Sequence, residues 1–220
     1  QKKEQGNPFF AEWKTPFGVP PFDQITNEDY LPAIDSGIVL ARLNIAEITS
    51  SEEAPSFANT IAKFDRADEF LGKVAGVFYS QTSANTNDTL EALQMEIAPK
   101  VSAFSDEILL NSALFNRIKT VWETRDSSQL NAEELFLLDN LYKSFVRNGA
   151  LLGPEDQEKL KKMNQELAVL TVKFSQNVLE ETNSFRLVID NESDLKGLPE
   201  SVIAGAAEMA KSEGMEGKWV

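Results

Sequence analysis

Apolar residues recur at a helical spacing along most of the chain. Five of them in the first such segment are separated by alternating steps of four and three residues: Ile34, Ile38, Ala41, Ile45 and Ile48. On an α-helix this spacing places all five on one side. The pattern therefore predicts a long helix that packs its apolar side into a core.

The sequence allows two starting points for this helix. Capping by Thr26 or Asn27 places Pro32 inside the helix, whereas capping by Asp29 leaves Pro32 in the first turn, where its missing N–H costs little. We expect a kinked or staged start.

The same periodicity predicts further helices along the chain. Asn131 with Glu134 three residues later is the clearest capping signature, and Leu130 and Leu135 are spaced as a hydrophobic staple. Gly149 is expected to end that helix. The predicted segments are residues 57–83, 88–108 with a bend at Pro99, 113–124, 131–148, 154–182 and 199–212.

The longest predicted helix carries apolar residues at steps of three and four: Leu160, Met163, Leu167, Leu170 and Phe174. This spacing also suits the contact line of a coiled coil, but it lasts little more than two heptads. Further apolar residues, Ala168 and Val172 among them, widen the apolar surface. We therefore predict packing inside a helical bundle.

Residues 7–24 have a different pattern, in which four prolines alternate with five aromatic residues. Proline disfavours a helix here, and aromatic rings at this density favour burial. We predict an extended arm held on the body by its rings, with an aromatic ligand platform as the alternative. The aromatic residues are Phe9, Phe10, Trp13, Phe17 and Phe22.

Near the carboxyl end, Phe185, Leu187 and Ile189 alternate with more polar positions, which is typical of a strand. A lone strand leaves backbone groups unpaired, so it needs a partner, and the residues from Trp219 onward supply the nearest candidate. The expected organisation is a tether and arm (1–24), a bundle of about six to seven helices (25–183) and a small, truncated β element with one helix (184–220).

Composition adds limits on possible partners. The 220 residues are 42% apolar and 25% charged, which is typical of a globular protein. The net charge of −14 disfavours nucleic acid as a partner. No apolar run reaches the roughly 18 residues that a membrane crossing needs.

The chain contains no His and no Cys. This excludes a His-based triad, a Cys nucleophile and an ordinary zinc site. The acidic run at Asp190, Glu192 and Asp194 resembles the start of a calcium loop, but Leu195 stands where Gly is required. Adjacent pairs such as Glu133 with Glu134 point apart on a helix. We therefore assign no catalytic, metal-binding or substrate-binding residue.

Several short blocks nevertheless resemble, in order, the amino-terminal region of zinc peptidyl-dipeptidases in the thimet oligopeptidase family. The dipeptidyl branch fits better than the general oligopeptidase branch. The blocks are NPFF at 7–10, PFDQI at 21–25, TND at 86–88, LFNRI at 114–118, VW at 121–122, FVRNGA at 145–150 and KW at 218–219.

This resemblance implies a helical metallopeptidase with two lobes around a deep channel, which releases carboxyl-terminal dipeptides from short unstructured peptides. In that family an H-E-x-x-H helix supplies zinc ligands and the general base. No position of this chain matches that motif, so we expect zinc in the full-length protein, none in this chain, and the catalytic part carboxyl-terminal to Val220.

On this interpretation the parent protein is an enzyme, and this chain alone is a non-catalytic part of its channel wall. The alternative is a free-standing helical domain that binds a peptide or protein. The sequence begins at Gln1 and not at Met, from which we expect a removed leader and favour the periplasm over the cytoplasm.

Overall fold

The computed structural model describes residues 6–220, so most of the predicted polar tether lies outside the described residues. The chain divides into two compact units, Gln1–Lys173 and Phe174–Val220. The predicted mainly helical class is confirmed. The helices are α1 Asn27–Ser50, α2 Ala62–Asp65, α3 Glu69–Ala84, α4 Asp88–Leu109, α5 Ser112–Glu123, α6 Ala132–Arg147, α7 Pro154–Ser184 and α8 Glu200–Ser212.

Helix α1 follows the first of the two predicted starting points. Thr26 is the N-cap, and its backbone N–H donates to Asp29 Oδ2 at 2.8 Å. Pro32 consequently lies inside the helix. The acidic residues Glu28 and Asp29 occupy the first turn, where they complement the positive end of the helix dipole.

The predicted apolar side of α1 is buried at all five positions. Gly37 on this helix faces α3 so closely that a Cβ at position 37 would lie 3.0 Å from the Cα of Leu71. The absence of a side chain at this point lets the two backbones approach each other. Ile34 and Ile38 on α1 and Val74 and Phe78 on α3 belong to the same buried core.

The segment predicted as one helix over residues 57–83 is broken in the structure. It consists of a π-helical turn, Phe57–Ile61, then α2, a turn at residues 66–68, and α3. Asn44 on α1 donates its Nδ2 to the carbonyl oxygen of Ala67 at 2.8 Å, which pairs a backbone group within that turn.

A buried arginine holds the connection between α1 and the π-helical turn. Arg117 on α5 donates from Nη1 to the carbonyl oxygens of Ser51 at 2.9 Å and Glu53 at 3.2 Å. Its Nη2 donates to Asn59 Oδ1 at 3.3 Å. One side chain therefore fixes a loop whose carbonyl groups would otherwise need water.

The predicted capping of α6 is confirmed. Asn131 Oδ1 accepts from the backbone N–H groups of Glu133 and Glu134, and the Asn131 N–H donates to Glu134 Oε2 at 2.9 Å. Gly149 follows the helix with φ +96°, a left-handed conformation that favours glycine.

Helix α7 differs from the prediction in the direction of its apolar residues. Val172 is buried, but Met163, Leu167 and Leu170 are 58%, 61% and 54% exposed. A polar contact holds the helix on the first unit, since Asn164 Nδ2 donates to Asp106 Oδ1 at 2.6 Å. The prediction that the Met163, Leu167 and Leu170 stripe faces a core was therefore wrong.

Helix α7 has 31 residues and spans roughly 46 Å. Within residues 6–220, none of the helices combines the length and the apolarity that a bilayer crossing demands.

The second unit contains the segment predicted as a strand. Ile189 and Trp219 form an isolated antiparallel bridge, with N–H to carbonyl distances of 2.8 and 3.1 Å in the two directions. The described residues of this unit show no longer ladder, so the predicted β element is not seen as a strand. Ion pairs of Arg186 with Glu213 and of Lys218 with Asp190 lie beside the bridge.

The close approach at Gly37 generates a prediction. Replacement Gly37→Val inserts a branched side chain against the Leu71 backbone and should destabilise the protein by about 1–3 kcal/mol. The matched control is Gly76→Ala on α3, where a Cβ would meet nothing within 4 Å. That change should stabilise the protein by about 0.5–1 kcal/mol. Urea unfolding followed by circular dichroism measures both, and equal stability of the two variants would contradict the packing argument.

Candidate functional surfaces

The residue types of this chain do not fit the zinc ion that the family resemblance implies. Its sequence lacks His and Cys, and the described residues contain no group of three or more acidic side chains placed to hold a metal. Zinc in peptidases is held by His nitrogen together with carboxylate. No step of metal-assisted hydrolysis is therefore assigned to a residue of this chain.

The acidic groups that the sequence singles out are separated and engaged in local structure. Glu134 accepts the hydrogen bond that caps α6. Asp190 pairs with Lys218 at 2.9 Å, while Asp194 lies in a 3₁₀ turn whose Leu195 is buried. The carboxylates of Glu134 and Asp190 therefore have local structural roles.

The amino-terminal segment packs on the helical body with a buried aromatic ring, that of Phe9. Phe9 is only 1% exposed and lies with its ring centroid 5.5 Å from Tyr30 of α1 and 6.1 Å from Trp13. Asn7 Nδ2 donates to the Asp29 carbonyl oxygen at 2.7 Å. The backbone includes 3₁₀ turns at Pro8–Phe10 and Pro16–Gly18, so it is not continuously extended as predicted.

Further aromatic contacts connect this segment to α3. Phe10 stacks on Phe70 at a centroid distance of 5.5 Å, and Lys73 Nζ lies 3.8 Å from the centroid of the Trp13 ring. Burial lowers the pKa of Lys73, and the ring offsets part of the cost by a cation–π contact. Phe17, in contrast, is fully exposed. The arm thus contains both packed and free aromatic residues.

A groove of about 530 Å³ lies between α1 and the start of α3. Leu40 and Phe70 give it apolar walls, and the charged residues among its lining are Arg66, Asp68, Glu69 and Lys73. Its size falls in the range of small-molecule sites. The sequence did not predict this groove. The available signal is Leu40, an apolar residue of α1 that lies outside the predicted core stripe.

The second exposed apolar feature is on α7. We call Met163, Leu167 and Leu170 the outer stripe. Val172 lies nine residues after Met163, which is two and a half turns of an α-helix. The outer stripe and the buried side of the helix therefore point in opposite directions. Phe174 and Val178, in the second unit, continue the same spacing and are also exposed.

Comparison with known proteins relates this chain to peptidases. It is 38% identical to dipeptidyl carboxypeptidase of Escherichia coli and 37% identical to that of Salmonella typhimurium, with 97% of the chain aligned in each case. It is 24% identical to oligopeptidase A of Escherichia coli, over 92% of the chain. The predicted relationship to the thimet oligopeptidase family is confirmed. The higher identity to the two dipeptidyl carboxypeptidases supports the predicted branch of that family.

The aligned part is a minority of each relative. The chain spans 31% of the length of both dipeptidyl carboxypeptidases and 30% of that of oligopeptidase A. A search of protein-family profiles gave no match.

The arm gives a second prediction. Phe9→Ala removes a fully buried ring and should lower the free energy of unfolding by about 3–5 kcal/mol. Phe17→Ala, a matched change in the same segment at an exposed ring, should alter it by less than about 0.5 kcal/mol. Thermal unfolding of the two variants checks this. A large loss at Phe17 would show that the arm packs differently.

Proposed function

We propose that this sequence is the amino-terminal, helical, channel-wall part of a zinc peptidyl-dipeptidase that releases carboxyl-terminal dipeptides from oligopeptides. The supporting observation is the 38% identity to a dipeptidyl carboxypeptidase across 97% of the chain, which accounts for only 31% of that relative. The remaining length of such a protein has room for a complete catalytic region.

In this proposal the 220 residues take no direct part in bond cleavage. A zinc-bound water needs protein ligands that leave an open coordination position, and His nitrogens are the usual donors. This chain has none to offer. Its part is to shape the approach to a metal centre that other residues hold.

The packing of the first unit suits the role of a wall. Helices α1 to α6 share one continuous core, the amino-terminal segment is fixed by Phe9, and the α1 to α2 connection is fixed by Arg117. A surface built this way keeps its shape when a peptide passes. A rigid wall around a narrow channel admits unstructured peptides and excludes folded proteins, because the latter cannot reach a recessed centre.

We also propose that the bridge between Ile189 and Trp219 begins a small β element. Alternating apolar residues precede Ile189, and one bridged pair alone leaves neighbouring backbone groups without partners. In the same proposal, residues 25–183 form the helical body and residues 184–220 belong to the next structural element.

One observation favours the alternative function, a free-standing interaction domain. The outer stripe of α7 is exposed, and an amphipathic helix of a partner could pack on it. The coding sequence after Val220 separates the two functions. Continuation for several hundred codons to an H-E-x-x-H motif supports the peptidase, and an immediate stop codon supports the interaction domain.

Activity measurements give the third prediction. The 220-residue chain with added zinc should show no dipeptide release from a blocked oligopeptide, since it lacks zinc ligands. A longer polypeptide that contains this sequence and an H-E-x-x-H helix should release carboxyl-terminal dipeptides, and a chelator should stop the reaction. Mass spectrometry of the products measures both. Zinc-dependent cleavage by the 220-residue chain alone would overturn the proposal.

A further inference from the structure

The outer stripe of α7 is an exposed apolar surface for which the first unit provides no cover. Met163, Leu167 and Leu170 are each more than half exposed, while Val172 on the opposite side of the helix is buried and Asn164 donates a hydrogen bond to Asp106 of α4. A helix that only covered a core would carry polar residues on its outer side. The outer stripe therefore needs a different explanation.

The charged residues along the stripe restrict what can cover it. Two of the four lysines in residues 159–173 pair with acidic residues of the preceding turn, Lys159 with Glu155 at 2.9 Å and Lys161 with Glu158 at 2.7 Å. Lys162 and Lys173 are exposed on this stretch. Basic residues beside an apolar centre complement a surface that is apolar in the middle and acidic at its edge.

A second copy of this chain is a poor occupant. Stable interfaces between separate proteins bury roughly 800 Å² on each partner, which is more than three partly covered side chains supply. Two copies would also bring two net charges of −14 together. A covalently connected segment needs far less contact area, because its effective concentration is of millimolar order.

We propose that the outer stripe is the surface on which the remaining part of a longer peptidase polypeptide packs, through an apolar patch with acidic edges. This inference rests on the proposed function, and the observation behind the occupant is that about two thirds of each dipeptidyl carboxypeptidase lies outside the aligned region. The helix then joins two bodies, with Val172 on one side and the outer stripe on the other.

Thiol labelling tests the proposal directly, because the chain contains no Cys. The variants Met163→Cys and Leu167→Cys are made in the 220-residue chain and in the longer polypeptide, with Gln165→Cys, an exposed position on another side of the helix, as the control. All three should react rapidly with a maleimide in the 220-residue chain. In the longer polypeptide the two stripe positions should react at least about tenfold more slowly, and the control should be unchanged. Mass spectrometry of the labelled peptides identifies each site.

A substitution provides an independent readout. Leu167→Glu should leave the melting temperature of the 220-residue chain unchanged, because the side chain is exposed there, and should lower that of the longer polypeptide by several degrees. Gln165→Glu, which adds the same charge at an exposed position on another side of the helix, is the control and should change neither.

The outcomes separate this inference from the proposed function. Rapid labelling of the stripe in a longer polypeptide that releases dipeptides would overturn the inference and leave the function standing. If labelling of the stripe in the 220-residue chain becomes slower as the protein concentration rises, the occupant is a second copy of the chain. That result would also overturn the inference. Protection in a longer polypeptide without peptidase activity would support the surface and contradict the function alone.

Discussion

The close approach of α1 and α3 at Gly37 is the constraint on which the first unit depends. A side chain at this position would press on the backbone of Leu71, so glycine lets the two helices pack this closely around their shared core. Ile34, one turn earlier, and Phe78 are then fully buried. The arm follows from this arrangement, because Tyr30 and Phe78 form an edge-to-face pair and Phe9 packs on Tyr30.

Polar side chains hold the irregular segments between the helices by hydrogen bonds. Asn44 and Arg117 bond to backbone carbonyl groups in the two irregular stretches that flank α2 and the π-helical turn. Each bond replaces water at a buried or half-buried carbonyl, and an unpaired group there would cost about 1–3 kcal/mol. The sequence identifies neither residue, because a single polar residue on a helix gives no indication of the loop it will contact.

The elements with strong local signals could be predicted. Asn131 and Glu134 specify the start of α6 through bonds within four residues, and the buried stripe of α1 follows from its spacing alone. The break at residues 66–68 could not, because the turn there is held by Asn44, more than twenty residues earlier in the chain. The same limit applies to the groove between α1 and α3, whose walls come from two helices that only tertiary packing brings together.

The outer stripe of α7 shows a different limit of periodicity. The spacing of Met163, Leu167 and Leu170 correctly indicates an apolar helix face, but spacing specifies which residues share a face and not what the face contacts. Val172 lies on the opposite side of the same helix and is buried, whereas the stripe is exposed. A helix with two apolar sides has more apolar surface than one core requires, and the excess is evidence for a second body of protein. Such a second body agrees with relatives about three times as long as this chain.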